Sequence, residues 1–273
     1  MATISAQRIA AFRKTVYGHF AKNGRSLPWR KKVTPYSTFV SEVMLQQTQV
    51  PRVAEIFPRF MKKFTNWEKL ANAPLKEVLA AWQGMGYNRR ARFLHQAANE
   101  VVDRFGGKLP ADPELLKTLP GIGPATAASI AAFGFNRPTV FVETNIRAVF
   151  IHHFFRDKEQ VPDEEVLKLV ERTLDRKDPR RWYSALMDYG THLKKAHKNP
   201  ARRSLHHKKQ GRFEGSARQA RGRVMAELVR SHKPLAMREI ASRTGLAPQR
   251  AKDAVTALAA EGLLRKTSGG YAV

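Results

Sequence analysis

The segment Leu119–Gly134 reads LPGIGPATAASIAAFG, and it dictates a helix entered through a turn tighter than most side chains permit. Gly121 and Gly123 flank one apolar residue, Ile122, so the backbone can turn sharply and present amide N–H groups at a helix start, where they suit a phosphate oxygen. Such a hairpin grips nucleic-acid backbone rather than bases, and Leu119, Gly121, Gly123, Ala125 and Thr126 are the residues expected to make that contact. About one helix length later, beyond a turn at Pro138, the sequence VETN brings the carboxylate of Glu143 and the amide of Asn145 near the sugar that this phosphate belongs to.

The charge balance agrees with a polyanionic partner. Lys and Arg number 49 against 23 Asp and Glu, a formal net charge of +26, which points to nucleic acid before a membrane surface, and double-stranded DNA is the partner expected. No stretch approaches the roughly 20 apolar residues needed to cross a bilayer. The N-terminal segment is broken by Arg8, Arg13 and Lys14 and lacks a secretory apolar core, so a cytoplasmic, nucleoid-associated protein is expected. The absence of cysteine excludes disulfides, thiolate zinc sites and ordinary iron–sulfur clusters. No metal-ligand spacing and no Walker or dinucleotide fingerprint occurs, so neither a metal nor a cofactor is expected.

From Ile4 to about Lys198, apolar residues recur at spacings of three and four and the breaks fall at Gly, Pro, Asn or Asp. This predicts an all-α domain over 1–198, with LPWR at Leu27 as a loop before the helix that carries Glu42. Residues 199–216 continue a strongly basic stretch, begun at Lys194, in which Glu214 is the one acid; they read as a basic linker that is either a solvated tether or a DNA-contacting segment. Residues 217–273 show helix, helix–turn–helix and a short hairpin around Gly269 and Gly270, the pattern of a small winged helix-turn-helix domain. Arg250, at the start of its second helix, is placed to enter a major groove, unless the module serves protein contact.

Four groups of residues carry chemistry. Glu42 lies between Val40 and Val43, followed by Met44 and Leu45; a carboxyl group among apolar neighbours tends to hold its proton, as a general acid must, although a nearby arginine or helix end could also satisfy it. Gln46, Gln47 and Thr48 follow as a polar cluster that either probes base edges or caps the helix. Tyr87, Arg89 and Arg90 combine an aromatic stacking surface with phosphate-seeking charge, or else form a core tyrosine with solvated arginines. Trp29 and Arg30 sit before the Glu42 helix as candidate base-pocket residues, with plain core as the alternative for Trp29. Two carboxylates on separate helical segments, one apolar in setting and one beside a phosphate-gripping hairpin, match what cleavage of an N-glycosidic bond requires. One protonates the departing base and the other stabilises the sugar cation or directs water to C1′, once the base has left the stack.

These segments together resemble the helix-hairpin-helix DNA glycosylase superfamily (HhH-GPD), and most closely its adenine DNA glycosylase (MutY) branch. The matching pieces are LPW at 27, TPY at 34, SEVMLQQTQV at 41, LANAPLKEVLAAWQGMGY at 70, ARFLHQAA at 91, GGKLP at 106, LPGIGPATA at 119, ETN at 143 and MDYG at 187, in family order. The resemblance implies two helical lobes with the active site in the cleft between them, Glu42 as general acid, Glu143 at the place of the family's aspartate, and Asn145 as the asparagine that follows it.

Four departures stand out. Glu143 is longer than aspartate by one methylene, which shifts the carboxylate. Ala125 stands where bifunctional relatives of the endonuclease III type carry lysine, so no Schiff base forms there and a monofunctional glycosylase without lyase activity is expected. Lys194, Ala201 and Ser204 fall near the family's cluster cysteines, with Lys194 and Lys195 as candidate DNA contacts in their place. The domain that reads 8-oxoguanine is replaced by the winged helix, and the wedge is reduced to Tyr87 followed by Asn88.

The expected activity is therefore hydrolysis of the glycosidic bond of a flipped base by a monomer, with adenine opposite guanine or 8-oxoguanine as leading substrate. Uracil, thymine opposite guanine, and deaminated or alkylated purines are the enzymatic alternatives. A non-catalytic binder of damaged DNA is the other class.

Overall fold

Several helix starts in this chain carry a side chain that accepts a backbone N–H group in the computed structural model, which describes residues 4–207 and 211–273. Ser5 caps α1 (Ala6–Asn23) by accepting from the Arg8 N–H, Asn66 caps α5 (Trp67–Ala71) by accepting from Lys69, and Asp178, with Pro179 behind it, caps α12 (Pro179–Ala196) by accepting from Arg181. Between them run α2 (Pro28–Lys31), α3 (Pro35–Leu45), α4 (Val50–Lys63), α6 (Leu75–Ala81), α7 (Arg89–Phe105), α8 (Pro113–Leu116), α9 (Pro124–Phe135), α10 (Thr144–Phe154) and α11 (Asp163–Thr173). Beyond these come α13 (Ala217–Arg230), α14 (Met237–Thr244), α15 (Pro248–Ala260) and the strands β1 (Arg265–Thr267) and β2 (Gly270–Ala272). The fold is all-α, with one antiparallel strand pair among the described residues, which matches Lys266 to Tyr271 and is extended by a bridge from Leu235 to Tyr271.

The chain divides into two compact units. The first comprises the described residues of Met1–Phe39, Pro110–Thr118 and Ile122–Lys209. Its core is aromatic: Phe12 meets Phe150 at 5.3 Å and the edge of Trp182 at 5.8 Å, and Tyr183 lies 4.3 Å from Phe141 with its hydroxyl donating to Thr139 O. The second comprises Val40–Leu109, Leu119–Gly121 and the described residues of Gln210–Val273. Ile56, Phe60, Leu70, Leu79, Trp82 and Leu94 are fully buried there.

Two expectations change shape. LPWR is not a loop, because Pro28 at the first helical position starts the one-turn helix α2. The basic stretch does not begin as a tether: Pro200–Arg203 forms a 3₁₀ turn with Pro200 and Ala201 buried, and Val161 and Arg203–Leu205 exchange backbone hydrogen bonds of 2.9 and 3.0 Å. Arg203 itself closes the end of α10, donating to Phe155 O and Arg156 O at 2.5 Å and to Ile151 O at 3.3 Å. Lys208 and Lys209, which belong to the same basic stretch, lie outside the described residues. Residues 217–273 form the expected helices and wing, and α13 packs on α6 within the second unit.

Candidate active site

Glu143 is the N-cap of α10, in extended backbone at φ −131° and ψ 179°. Its Oε1 accepts the N–H groups of Asn145 at 2.6 Å and Ile146 at 2.9 Å, and Oε2 accepts Asn145 Nδ2 at 3.1 Å. The carboxylate thus meets the positive end of a helix, which favours its charge. Burial is nevertheless the largest influence on it and pushes the carboxyl above its ordinary range, against the opposing effects of the Ile146 N–H, the Lys194 ammonium and Asn145. Lys194, half-buried on α12, is pushed the other way: burial lowers its ammonium, Glu143 opposes that, and Arg25 adds to it. Glu143, Asn145 and Lys194 therefore form one electrostatic group. Lys195, next along, is exposed.

The frame behind this group is the α10–α12 contact. Gly190 leaves no room for a side chain, since a Cβ there would stand 2.3 Å from Asn145 O and 2.7 Å from its carbonyl carbon. Thr191 Oγ1, one residue on, reaches Asn145 Oδ1 at 3.4 Å. On the same helix Asp188 is buried at 3 % exposure and takes two arginines. Arg30 pairs with it through both terminal nitrogens, at 2.9 and 3.0 Å, and Arg25 donates its backbone N–H at 2.8 Å and Nε at 2.7 Å. Burial alone would raise this carboxyl; the Arg30 and Arg25 hydrogen bonds outweigh it and hold Asp188 below the usual carboxylate range. Arg30 is thereby corrected from a base-pocket residue to the lock of an internal ion pair, and Trp29 beside it is buried.

Glu42 lies on α3, half-buried between Ser41 at 1 % exposure and Val43 at 3 %. The C-terminal end of α3 is closed by Arg90, whose guanidinium donates to Val43 O at 2.9 Å, Met44 O at 2.8 Å and Thr48 Oγ1 at 2.8 Å. It also donates to Met85 O and Gly86 O, both at 3.2 Å. Burial lowers Arg90 to about 10, so it remains charged at neutral pH. This corrects its expected role as a phosphate contact: at 8 % exposure it fastens the Met85–Tyr87 turn to the end of the Glu42 helix. Arg89 keeps the exposed position.

Of the polar cluster, Gln46 Nε2 donates to Gly121 O at 3.3 Å, and Thr48 is engaged by Arg90. Gln47 is exposed and left-handed at φ +55°. Gly121 adopts φ +77°, and a Cβ on it would come within 2.9 Å of Phe93, so both conformation and space demand glycine. Leu119 and Ile122 anchor the hairpin in the core, at 2 % and 6 % exposure. Gly121, Gly123, Pro124 and Ala125 stay exposed at the start of α9, and Thr126 is half-buried.

Arg250 is also redirected, because its Nη2 donates to Gly215 O at 2.5 Å and to Ser216 O at 3.3 Å rather than standing free at the helix start. Sequence reasoning missed Arg25, Asp188 and Gly190 as parts of the site. For Asp188 and Gly190 the one local signal is the MDYG tetrapeptide, an acid and a glycine on the buried face of an amphipathic helix. The positions near the family's cluster cysteines do not suit a thiolate cluster: Lys194 faces Glu143, while Ala201 and Ser204 are buried at 2 % and 3 % in the turn that Arg203 fastens to α10.

A glycine hairpin feeding one helix and a carboxylate capping the next, within a wholly helical frame, define a helix-hairpin-helix fold of the base-excision kind. The family model for the HhH-GPD superfamily of base excision DNA repair proteins matches residues 40–175, and the chain belongs to that superfamily. It is 35 % identical over 178 residues to the adenine DNA glycosylase of Buchnera aphidicola, covering 64 % of this chain and 49 % of that protein. With the adenine DNA glycosylase of Rattus norvegicus it shares 40 % over 147 residues, 50 % of this chain and 28 % of that one. The chain thus spans half or less of the length of these relatives. Among solved structures, a thermostable thymine-DNA glycosylase superposes with a TM-score of 0.60 at 23 % identity, covering 67 % of this chain and 86 % of that one. An endonuclease III trapped as a covalent DNA intermediate superposes with a TM-score of 0.57 at 20 % identity, over 77 % and 92 %. Both show the shared fold. Among the described residues no helix is long and apolar enough to cross a membrane.

Proposed function

We propose that this protein is a monofunctional DNA glycosylase that excises a mispaired adenine, with guanine or 8-oxoguanine opposite. The observation that carries the reading is Glu143: a carboxylate fixed at a helix N-terminus by the two N–H groups and the amide of Asn145–Ile146, beside Lys194, in a base-excision family whose named relatives excise adenine. Glu42 gives its proton to the departing base as the C1′–N bond breaks and the bond electrons leave with the base. Glu143 faces the oxocarbenium charge left on the sugar, and a water completes the reaction by adding to C1′ and losing a proton. Asn145 fixes the Glu143 carboxylate. The exposed start of α9 and Gln47 are the DNA contacts this reading favours, with Lys194 and Lys195 near the Glu143 group. Ala125 offers no amine to open the abasic product, so strand cleavage is not expected.

A second reading has one observation behind it. Every hydrogen bond found on the Glu143 carboxylate is a capping bond within its own helix turn, which fits a structural cap in a damaged-DNA binder. Single-turnover incubation with a panel of lesion duplexes, followed by hot alkali, separates the two. The proposal expects an alkali-labile strand at adenine opposite 8-oxoguanine; shifted bands with no labile strand on any duplex would leave only the binder.

A further inference from the structure

Three of the four residues from Gly84 to Tyr87 have positive φ: Gly84 at +87° and Gly86 at +67°, which glycine adopts freely, and Tyr87, which has a side chain, at +47°. A tyrosine in the left-handed region is disfavoured and persists only where its surroundings over-determine it. Two guanidinium groups do so here. Arg90 lies 5.6 Å from the Tyr87 ring centroid while donating to the Met85 and Gly86 carbonyls. Arg218, from α13, lies 5.8 Å from the same centroid and donates Nη1 to Tyr87 Oη at 2.9 Å.

The second clamp comes from the C-terminal helices, and these helices are themselves fastened to the same unit by basic side chains. Lys76 Nζ donates to Ser231 O at 2.5 Å, and Arg92 donates to Glu261 O with its guanidinium packed against Gly262. Arg250, bound to Gly215 O, follows the same pattern.

We infer that Arg218 is a positioning residue that locks Tyr87 in its left-handed conformation, so that the C-terminal module serves as a brace for the side chain that stacks on distorted DNA. The stacking role rests on the glycosylase reading; the brace does not. The full chain is tested with Arg218→Met, Arg218→Lys, Tyr87→Phe and the Arg218→Met/Tyr87→Phe double variant.

In the free protein, hydrogen exchange of amides 84–88 should accelerate about tenfold in Arg218→Met, the loss of roughly one charge-assisted hydrogen bond. Arg218→Lys, which keeps a cation and a donor, should restore most of the protection. On DNA, Arg218→Met should slow single-turnover excision about tenfold, with affinity for undamaged duplex at fixed salt changing less than about twofold. The double variant should be no slower than the worse single one. Unchanged loop exchange in Arg218→Met overturns the brace, as does an equal loss of affinity for every duplex with excision intact, which would make Arg218 a phosphate contact. If the wild type excises nothing, the glycosylase reading fails and the exchange experiment still decides the brace.

Discussion

Gly190→Ala tests whether the α10–α12 contact sets the position of Glu143. The added Cβ would stand 2.3 Å from Asn145 O, 2.7 Å from Asn145 C and 2.8 Å from Asn145 Cβ. All three atoms belong to the residue that holds the Glu143 carboxylate, and two are backbone, so no rotamer change relieves the clash. Ordinary contact begins near 3.4 Å, which requires the start of α10 to retreat by about 1 Å. Alanine inside a helix is worth about 1 kcal/mol over glycine, and overpacking costs about 1–3 kcal/mol, so the net loss of stability should be no more than about 2 kcal/mol. The functional loss should be larger, because a displacement of about 1 Å in a reacting group costs on the order of a hundredfold in rate.

Single-turnover excision of adenine from an adenine·8-oxoguanine duplex measures that rate, and thermal unfolding measures the stability. Gly222→Ala supplies the control: it also lies inside a helix, nothing stands within 4 Å of its would-be Cβ, and it should be neutral or stabilising with full activity. Excision by Gly190→Ala within about threefold of wild type would refute the argument that this glycine fixes Asn145 and Glu143.

Arg90→Met removes the hydrogen bonds that the guanidinium gives to four backbone carbonyls and the Thr48 hydroxyl, and should lower the unfolding free energy by about 3 kcal/mol or more in urea titration; an unchanged midpoint would contradict its role. His153, whose Nε2 lies 3.0 Å from the Tyr189 hydroxyl, is lowered from 6.5 to about 4, chiefly by burial and then by the charges of His152, Arg156 and Arg8. The unfolded state therefore binds more protons between those values, so its contribution is fully present above pH 6.5 and is lost as pH falls toward 4. In full that shift is worth about 3 kcal/mol, and partial exposure reduces it to about 1–2. Urea titrations across that range should show the loss, and His153→Gln should flatten it.

What was legible in the sequence was local. The hairpin announces itself because Gly121 and Gly123 sit two residues apart before a proline, and the Glu143–Asn145 pair because a cap and its amide are neighbours in the chain. Helix ends fell at Gly, Pro, Asn and Asp because those residues carry the capping and turn chemistry, as at Asn66, Asp178 and Gly106. The four-residue helix at Pro28 was hidden because a single turn contains no period.

The remainder is long-range. Asp188 meets Arg25 and Arg30 across some 160 residues of chain, and neither composition nor spacing distinguishes an arginine destined for a buried carboxylate from one destined for phosphate. Arg90 and Arg250 misled for the same reason: in a chain of net charge +26, guanidinium groups that close helix ends and clamp loops look like an unbroken nucleic-acid face.

The central claim, that Glu42 and Glu143 divide the work of breaking one glycosidic bond, is tested most directly by single-turnover excision with Glu42→Gln and Glu143→Gln, scored beside binding to the same duplex. The account predicts that each variant still binds the adenine·8-oxoguanine duplex within a few-fold of wild type, while excision falls by at least about a hundredfold in each. Excision that survives in Glu42→Gln or in Glu143→Gln, with binding unchanged, would contradict it.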